Sequence, residues 1–520
     1  MANNKYSDNF DFDNLFVLDL ANNHQGSIDH GLRVIEEHAQ VCNDANVKAA
    51  IKFQFRDIPD FVHPDDQIKS ENKHAPRFIS TKIEWTDYKK MASKIKEMGL
   101  LTMCTPFDEA SVDKITELGF DILKIASCSA SDWPLLKKAA DSGLPMVVST
   151  GGLSQAGVDA LVSFLTHKAC DFSIMHCVSV YPTPDEQCNL NNIAEFKSRY
   201  PGITIGWSTH EPPFEQVHVG LAYALGARMF ERHVGVPTED ITLNLYSSNP
   251  SETKAWINAK LKAETLLGCH ERQIYSEEQD AIAGLKRGVF VKSSIKKGNK
   301  IANDDIFFAF PYREGQISSG EFKHGFIASE NISKNGAVTP DNYKIEVSDD
   351  DICETILKTA IHEVKAMIAK AKIHLHHEFT TEYSHHYGIK NFRETGAVLI
   401  DVVNKEYCKK ILVQLPGQQH PLHMHKLKTE TFIVVSGELI SELDGKEFII
   451  KEGEQLTVPA GTWHRFKTDT GVIFEEISTT AYKDDSYYKD AFIRDLTSSQ
   501  RKTVVDHWGR FQISEQLRSK

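Results

Sequence analysis

The chain has 520 residues, of which 41% are hydrophobic and 25% are charged. These proportions are typical of a globular protein, and at roughly 150 residues per domain the length predicts about three domains. The 59 basic residues are outnumbered by 72 acidic residues, which gives a formal net charge of −13. Such an acidic balance argues against a nucleic-acid binder or a membrane-surface binder, and we expect neither partner.

The cysteines and the hydrophobic runs indicate where the protein works. Nine cysteines are scattered along the chain, and none forms a CxxC pair. An odd number without such pairs is typical of reduced thiols in a cytoplasm. No apolar run approaches the roughly 18 residues that a transmembrane helix needs. We therefore expect a cytoplasmic protein.

The first part of the chain alternates short apolar runs with amphipathic segments. Eight runs are predicted strands: Phe16–Leu20, Ala49–Gln54, Leu101–Thr105, Ile122–Ala126, Met146–Ser149, Phe172–Cys177, Ile203–Gly206 and Arg228–Glu231. Eight strands that each feed a helix predict a closed (β/α)₈ barrel, a TIM barrel, within an α/β fold. The long polar connection Arg56–Lys82 is typical of a functional lid or a disordered segment.

The rest of the chain predicts further domains. Short strands and turns along Gly288–Lys292, Ile295–Gly298 and Asp304–Phe308 indicate a small β-rich module. Asp349–Lys372 predicts a helix with Ile352, Ile356, Ala360 and Val364 on one face. From about Glu394 the chain is predicted all-β, with strands at Ile411–Leu415, Thr431–Val435, Leu439–Leu443, Glu447–Ile450, Gln455–Val458 and Val472–Ile477. The predicted domains are a barrel at 1–284, the small module at 285–345, a helical linker at 346–390, a β-barrel at 391–490 and a tail at 491–520.

Polar side chains gather at the ends of the predicted barrel strands, where TIM barrels place their active sites. They include Asp19, Lys52, Gln54, Thr105, Lys124, Ser127, Ser149, Ser179, Tyr181, Ser208, His210, Glu231 and His233. A single strand-end lysine or histidine is more often a solvated cap or a satisfied hydrogen bond than a ligand. Together, two lysines suit a phosphate or carboxylate, and two histidines on adjacent strands suit a divalent metal.

These residues stand in ordered motifs that resemble the sialic acid synthases. The motifs are Asn22-Asn-His-Gln-Gly26, Ile51-Lys-Phe-Gln54, Cys104-Thr-Pro-Phe107, Leu123-Lys-Ile-Ala-Ser127, Ser149-Thr-Gly151, His176-Cys177, Tyr181-Pro-Thr-Pro184, Gly206-Trp-Ser-Thr-His210 and Phe230-Glu-Arg-His233. The resemblance covers residues 14–345. It includes the small module, which is similar to the antifreeze-like (SAF) domain of that family.

The resemblance implies that phosphoenolpyruvate condenses with an N-acyl mannosamine-type sugar, releasing phosphate. His210 and His233 would hold Mn²⁺ or Mg²⁺ at the sugar aldehyde, and Asp19 stands where the family usually has a glutamate near the metal and water. The sugar side would include Tyr181. The phosphate and carboxylate would be held by Lys52, Lys124, Ser127, Ser149 and Ser208, and Gln54 and Thr105 are further expected substrate contacts.

The chain departs from the family pattern on the sugar side. Ser129, Ser179, Thr209 and Asn244 stand at or near positions where the family has glutamate, asparagine and aspartates. We therefore expect the condensation to be kept and the acceptor sugar to differ. The family's SAF domain reaches into the partner barrel of a swapped homodimer and offers an arginine. Arg313 is the nearest candidate here, although Pro311 falls at the expected position.

A second constellation lies near the carboxyl terminus. His423 and His425 alternate on one predicted strand, Glu430 returns on the next, and His464 comes from a later hairpin. Three imidazoles and one carboxylate make a site for Mn²⁺, Fe²⁺, Ni²⁺ or Zn²⁺. The spacing matches both motifs of a cupin β-barrel, apart from a missing asparagine after His464. The alternative is a cupin that has kept its shape without its metal.

The role of the cupin has two interpretations. Pro459–Phe466 and Glu475–Ser478 look similar to cupin-type sugar isomerases, in which a carboxylate moves a proton beside a bound metal. Glu475 or Glu476 would be that base. The other interpretation is a module that senses a sugar without catalysis.

The favoured function is therefore a phosphoenolpyruvate-dependent nonulosonic acid synthase with a metal-binding cupin that isomerises or senses a sugar. One alternative is another phosphoenolpyruvate-dependent deoxy-sugar acid synthase, although such enzymes usually lack the SAF module. The other is a sugar-binding protein with a degenerate barrel, against which the retained lysines and histidines argue.

Overall fold

The computed structural model describes residues 9–269, 272–482 and 485–518. The chain divides into two compact units, Met1–Arg272 and Gln273–Lys520. The five predicted segments are finer than this division, and their four boundaries stay a prediction.

The first unit is a closed barrel of eight parallel strands paired in chain order, as predicted. Strands Met146–Ser149 and Phe172–Cys177 begin and end where the sequence predicts, and the other six shift by one to three residues. The strands are β1 (Leu15–Asp19), β2 (Ala49–Phe55), β3 (Leu101–Pro106), β4 (Ile122–Ile125), β5 (Met146–Ser149), β6 (Phe172–Cys177), β7 (Ile205–Thr209) and β8 (Met229–His233).

Helices surround the barrel and bury their apolar faces against the strands. In the first helix, Ser27 caps the amino terminus by accepting the backbone N–H of His30, and Val34 and Ile35 pack into the core. The helices of this unit are α1 (Ile28–Asp44), α2 (Ile58–Phe61), α3 (Pro64–Ile68), α4 (Ala75–Ser80), α5 (Trp85–Glu97), α6 (Glu109–Glu117), α7 (Trp133–Asp141), α8 (Gln155–His167), α9 (Asn191–Arg199), α10 (Val217–Ala224) and α11 (Pro250–Leu267).

The long connection Arg56–Lys82 is folded and carries the short helices α2, α3 and α4. A proline stands in the first turn of each of these helices, where its missing N–H and fixed φ favour helix initiation. Phe61 of this segment packs 6.1 Å from the ring of Phe107, which follows β3. The segment therefore lies beside the carboxyl ends of the strands.

The barrel interior divides into an apolar part and a polar part. A cluster of buried apolar side chains includes Leu15, Val17, Ala50, Met103 and Met229, all near the starts of their strands. The buried polar side chains come later in the same strands, as Asp19, Lys52 and Glu231 do. This order places the polar chemistry at the carboxyl end of the barrel.

The second unit begins with α12 (Ser276–Ala283) and two small antiparallel pairs. The pairs are β9 (Gly288–Val291) with β10 (Ile306–Ala309), and β11 (Phe326–Ala328) with β12 (Tyr343–Ile345). Of the predicted strands and turns, Ile295–Gly298 is a turn, because Ile295 forms an isolated bridge and Gly298 turns the chain with a φ of +86°.

The predicted helix is confirmed as α13 (Asp349–Lys370), but its buried face is shifted. Ile352 is 38% exposed, whereas Leu357, Ala360, Ile361 and Val364 are buried. The prediction placed Ile352 on the core face because it followed spacing alone, while the first turn of the helix packs against little. Within the described ranges, no helix is long and apolar enough to span a membrane.

The cupin region is a large, mainly antiparallel sheet. Its strands are β13 (Thr380–Ser384), β14 (Ala397–Asn404), β15 (Tyr407–Gln414), β16 (His423–Met424), β17 (Glu430–Leu443), β18 (Lys446–Lys451), β19 (Gln455–Val458), β20 (His464–Lys467), β21 (Val472–Thr479), β22 (Tyr487–Tyr488) and β23 (Lys502–Asp506). Three short helices accompany them: α14 (Ala491–Arg494), α15 (Ser498–Arg501) and α16 (Gln512–Arg518).

The pairing of this sheet adds to the sequence prediction. The predicted strands Thr431–Val435 and Leu439–Leu443 are one strand, β17, because the chain passes Gly437 with only a register shift. Strands β13 and β23, from the predicted linker and tail, pair with each other and with the rest of the sheet. The sheet therefore extends beyond residues 391–490 on both sides.

Candidate functional site

Two buried lysines face one carboxylate inside the barrel. Nζ of Lys52, from β2, lies 3.0 Å from Oδ2 of Asp19 and 3.0 Å from Oε1 of Glu231. Nζ of Lys124, from β4, lies 3.6 Å from Oε2 of Glu231 and donates to the hydroxyl of Ser149. Glu231 of β8 therefore stands between the two ammonium groups. The sequence marked Glu231 as a strand-end residue but did not predict this role.

The carboxylates decide the charge of the lysines. Burial lowers the pKa of Lys52, but the neighbouring charges of Asp19 and Glu231 outweigh it and raise that pKa above its ordinary value. Burial lowers the pKa of Lys124, with Glu231 opposing the shift. An anionic ligand here would meet one firmly charged lysine and another whose charge the ligand itself would favour.

Hydroxyl groups surround the lysines. Ser208 donates to Oε1 of Glu231 at 3.1 Å, and Ser127 accepts the backbone N–H of Gly151 at 3.0 Å. A Cβ on Gly151 would lie only 2.6 Å from Oγ of Ser179 and 2.8 Å from Oγ of Ser127. The glycine thus lets these hydroxyls converge. Among the described residues, Oγ1 of Thr105 has no hydrogen-bond partner although it is buried.

The two predicted metal histidines lie side by side at the same mouth. The ring centroids of His210 and His233 are 5.4 Å apart. Nδ1 of His210 donates to the carbonyl of Val178 at 3.0 Å, and Nδ1 of His233 lies 3.4 Å from Oδ2 of Asp19. Both contacts leave Nε2 as the free nitrogen, the arrangement that orients metal-binding imidazoles.

Burial lowers the pKa of both rings, to about 3 in His210, which keeps the imidazoles neutral and able to bind a metal. Two imidazoles beside the carboxylate of Asp19 suit a divalent ion. The donor set therefore fits the ion that the sequence predicts. Gln54 donates to the same carboxylate at 3.2 Å and so holds Asp19 from a third side.

Two tyrosines cover the histidines. The ring of Tyr181 lies 4.2 Å from that of His210, and the ring of Tyr246 lies 5.2 Å from that of His233. Asn244, predicted to contact substrate, accepts the backbone N–H of Tyr246 at 3.1 Å and so shapes the loop that presents this tyrosine. Sequence reasoning missed Tyr246, since no motif contains it and only its place after β8 would have indicated it.

Three histidines meet in the cupin. The ligand atoms of His423, His425 and His464 all lie within 4.8 Å of one another, and His423 and His464 are direct partners across β16 and β20. Each Nδ1 contacts a backbone carbonyl, that of Pro421 at 2.9 Å, Asp485 at 2.7 Å and Thr462 at 3.1 Å. Each Nε2 therefore keeps its lone pair for a metal ion, and the three residues fit a transition metal.

The predicted fourth ligand, Glu430, contacts both a histidine of the group and a lysine. Its Oε2 lies 3.1 Å from Nε2 of His464, while its Oε1 pairs with the ammonium of Lys428. Lys428 also contacts Oε1 of Glu476 at 2.9 Å. Despite burial, the charge of Lys428 holds the pKa of Glu430 below its ordinary value, so the carboxylate beside the histidines is anionic.

Comparison with known proteins identifies two families that match parts of the chain. The NeuB family profile matches residues 39–272, and a cupin domain profile matches residues 411–475. Protein MJ1065 of Methanocaldococcus jannaschii, which is uncharacterised, is 31% identical over 296 residues, or 56% of this chain and 83% of its own length. The chain belongs to the NeuB family. It is an enzyme of that family, a transferase that forms a carbon–carbon bond, and it carries a cupin domain.

Two further NeuB-family relatives are informative. The N-acetylneuraminate-9-phosphate synthase of Drosophila melanogaster is 30% identical over 234 residues, which are 42% of this chain and 60% of that protein. A crystal structure from Chromobacterium violaceum, of a protein assigned to spore coat polysaccharide biosynthesis, is 37% identical with a TM-score of 0.61. It covers 64% of this chain and 99% of its own.

In this NeuB-family chain His423 and His425 line a cavity of about 160 Å³. Glu476 lines it, whereas Glu475 on the same strand forms an ion pair with Lys409 at 2.8 Å. Adjacent residues of a strand point to opposite faces, so only one of the two candidate bases faces the histidines. Other lining side chains include His386, His420, Tyr488 and Arg501.

Arg313 lies in the small β module. Its guanidinium stands 5.2 Å from the ring centroid of Phe290, and its backbone N–H donates to Oε1 of Gln316 at 3.0 Å. Its predicted reach into a partner's barrel stays a prediction.

Proposed function

We propose that this protein is a phosphoenolpyruvate-dependent nonulosonic acid synthase. It condenses phosphoenolpyruvate with an N-acyl mannosamine-like aldose in the cytoplasm and releases phosphate. The observation that carries the proposal is the lysine pair around Glu231, set directly beside the two histidines. The name of the Drosophila relative, a synthase of a nonulosonic acid phosphate, supports the same reaction class.

The lysine side of the site suits phosphoenolpyruvate. Lys52 and Lys124 supply two cations, and the hydroxyls of Ser127, Ser149 and Ser208 supply neutral donors for the phosphate and carboxylate oxygens. Thr105, whose buried hydroxyl is unpaired in the described part of the chain, offers one more donor. Phosphoenolpyruvate would add negative charge beside Lys124, whose one carboxylate neighbour, Glu231, is shared with Lys52.

The histidine side suits the aldose. A divalent ion, Mn²⁺ or Mg²⁺, held by His210 and His233 would supply Lewis acidity at the aldehyde oxygen. The methylene carbon of phosphoenolpyruvate bonds to the aldehyde carbon, and the aldehyde oxygen takes a proton and becomes a hydroxyl. One water adds at the adjacent carbon, and phosphate leaves that carbon as the added hydroxyl loses its proton and becomes the ketone. In this scheme Asp19 accepts a proton from that water, while Tyr181 and Tyr246 shield the aldehyde from bulk solvent.

The acceptor and the assembly belong to the same proposal. Ser129, Ser179, Thr209 and Asn244 replace acidic and amide residues of the family, which supports an acceptor other than ordinary N-acetylmannosamine. The proposal also includes a domain-swapped homodimer in which Arg313 reaches the partner's barrel.

The test is phosphate release from phosphoenolpyruvate across a panel of C6 amino-sugar and neutral aldoses. At least one aldose should give turnover, and His210→Ala or His233→Ala should abolish it, while His167→Ala, on the surface, should not. Lys52→Ala should raise the KM for phosphoenolpyruvate at least tenfold more than that for the aldose. A wild type that releases no phosphate with any aldose contradicts the proposal.

A second function is supported for the cupin, namely isomerisation of a sugar beside Mn²⁺, Fe²⁺, Ni²⁺ or Zn²⁺. The observation that favours it over sensing is Glu476, a buried carboxylate in the same cavity as His423 and His425. Such an isomerase exchanges the C2 proton of its sugar with solvent deuterium. The exchange should persist in His210→Ala and vanish in the His423→Ala, His425→Ala double variant. A sensor would show no exchange, and the double variant would instead shift the aldose saturation of the synthase.

A further inference from the structure

Arg56, the first residue after β2, is a cation without a counter-charge. Among the described residues, no carboxylate oxygen lies within 4.0 Å of its guanidinium, and its Nε is buried without a hydrogen-bond partner. Nη2 of Arg56 donates a hydrogen bond at 3.0 Å to Oε1 of Gln54, which carries no charge. Arg56 is half-buried, and a cation withdrawn from water without an ion pair gains from a ligand that supplies negative charge.

Two aromatic rings hold the guanidinium in place. Its central carbon lies 3.9 Å from the ring centroid of Phe78, on α4, and 3.8 Å from that of Phe107, after β3. Aromatic faces attract a cation without neutralising it and leave its planar edge open to hydrogen bonding. Arg56 is thus oriented before any ligand arrives. We call Arg56, Phe78 and Phe107 the rim arginine clamp.

The rim arginine clamp is connected to the proposed reaction centre. Lys52 and Gln54 alternate on one face of β2, and Arg56, directly after the strand, contacts Gln54; four residues of extended chain span about 13 Å. Arg56 contacts Gln54, Gln54 donates to Asp19 at 3.2 Å, and Asp19 contacts Lys52 at 3.0 Å. The guanidinium therefore lies outward of the aldehyde site on the same wall.

The space at the clamp accommodates a ligand group. A cavity of about 340 Å³ is lined by Arg56, both rings of the clamp, His63, His74 and Ser70. Its acidic member, Asp66, accepts a hydrogen bond from Ser70 and makes no ion pair with Arg56. Burial lowers the pKa of Arg56 only to about 10, so the guanidinium remains charged at neutral pH.

We propose that the rim arginine clamp binds an anionic group, a phosphate or a carboxylate, at the end of the acceptor aldose remote from its aldehyde. The identity of the ligand as the acceptor aldose rests on the proposed function, whereas the anion site itself is independent of that function. An extended aldose with its aldehyde near His210 and His233 would direct its last carbon toward the barrel rim, where Arg56 stands. The acceptor is accordingly charged rather than neutral.

The test compares three N-acyl aldoses of one configuration that differ only at the last carbon, which carries a hydroxyl, a phosphate or a carboxylate. Their binding to the full chain is measured by calorimetry, once with Mn²⁺ and no phosphoenolpyruvate, and once with phosphoenolpyruvate and the metal chelated, so that no turnover occurs. The wild type should bind one anionic aldose at least tenfold more tightly than the neutral one, and the preferred anion identifies the group.

In Arg56→Met the affinities for the anionic and the neutral aldose should differ by less than twofold. The Kd for the neutral aldose should stay within threefold of the wild-type value. The matched control is Arg33→Met, which removes an exposed helix arginine paired with Glu37 and should keep the ratio. Arg56→Lys, which keeps the charge, serves where the methionine variant does not fold. It should lower the ratio at least threefold, because an ammonium cannot make two parallel hydrogen bonds.

Equal binding of neutral and anionic aldoses by the wild type would overturn the inference. An unchanged affinity ratio in folded Arg56→Met or Arg56→Lys would overturn it as well. Arg77 lies on the same segment and contacts Tyr246, so an affinity ratio that is lost in Arg77→Met but kept in the Arg56 variants would also overturn the inference. If Arg56 controls the ratio but the wild type releases no phosphate from phosphoenolpyruvate, the proposed function fails and the anion site stands.

Discussion

Nζ of Lys52 donates a hydrogen bond to Oε1 of Glu231 at 3.0 Å, and both side chains are almost completely buried. The contact joins β2 to β8 across β1, and it forms only because the eight strands close into a barrel. It means that the site carries its own negative charge at the place where we propose an anionic substrate binds.

We expect Glu231→Gln to destabilise the protein by about 3 kcal/mol, because it leaves two buried ammonium groups with less compensation. Inorganic phosphate should then raise the thermal unfolding temperature of the variant more than that of the wild type, since the anion replaces the missing charge. Differential scanning fluorimetry with and without phosphate measures both effects. Glu37→Gln, on the surface, should behave as the wild type, and an equal phosphate response in Glu231→Gln would contradict the assignment.

Gly151→Ala should separate activity from stability. The added methyl group meets the hydroxyls of Ser127 and Ser179, which can rotate away, and lies 3.1 Å from the carbonyl oxygen of Cys177, which must shift by a few tenths of an ångström. The unfolding temperature should therefore fall by only a few degrees. The same rotation moves two proposed substrate contacts, and kcat/KM should fall at least tenfold. In Gly157→Ala, where the new methyl group makes ordinary contacts at 3.5 Å or more, both quantities should stay unchanged. A fully active Gly151→Ala would show that the two hydroxyls do not bind substrate.

His38 should make the barrel sensitive to acid. Burial lowers the pKa of this histidine from 6.5 to about 4, with its Nε2 against the carbonyl of Gly235. Above pH 6.5 neither state is protonated. Between pH 6.5 and 4 the unfolded chain binds a proton that the folded chain does not, so stability falls by about 1.4 kcal/mol per pH unit from this group.

In His38→Gln this contribution is absent, so the free energy of unfolding should depend less steeply on pH between 6.5 and 4. Urea titrations of both proteins at several pH values check this, with tryptophan fluorescence as the probe. Other buried histidines such as His24 contribute to both proteins alike, so only the difference is informative. Parallel pH profiles would rule out His38 as a source of acid sensitivity.

The cupin should bind one transition metal per chain, independently of the barrel. The His423→Ala, His425→Ala double variant should lose one equivalent by elemental analysis and keep the metal of the barrel. His420→Ala is the matched control, since this buried histidine lines the same cavity but lies outside the group of three. Retention of full metal content in the double variant would exclude the proposed ligands.

Much of this architecture follows from local pattern. The barrel strands are short apolar runs, so their positions can be predicted without tertiary information. The spacing of His423, His425 and His464 predicts that they converge once a cupin is assumed. Local pattern does not show which face of an element its neighbours cover. Ile352 has the right spacing for a core residue, yet it is exposed because little packs against the first turn of α13.

The ion pairs were equally inaccessible to sequence reasoning. The strand alternation predicts that Glu475 and Glu476 face opposite sides, but it does not say which side holds the cavity. Glu231 gains its position from residues in β2 and β4, far away in the chain. Arg56 lies outside the catalytic motifs, and only the packing of Phe78 and Phe107 around it distinguishes it from an ordinary surface arginine.

Strand β16 has only two residues, and it lies between β20 and β22. So short a strand contributes few backbone hydrogen bonds of its own, yet it carries His423. A metal ion bound to His423 and His464 would cross-link two distant stretches of chain, much as a disulfide does. The durability of the cupin would then depend on how slowly the metal dissociates. Chelation should weaken resistance to proteolysis around β16 well before it affects the barrel.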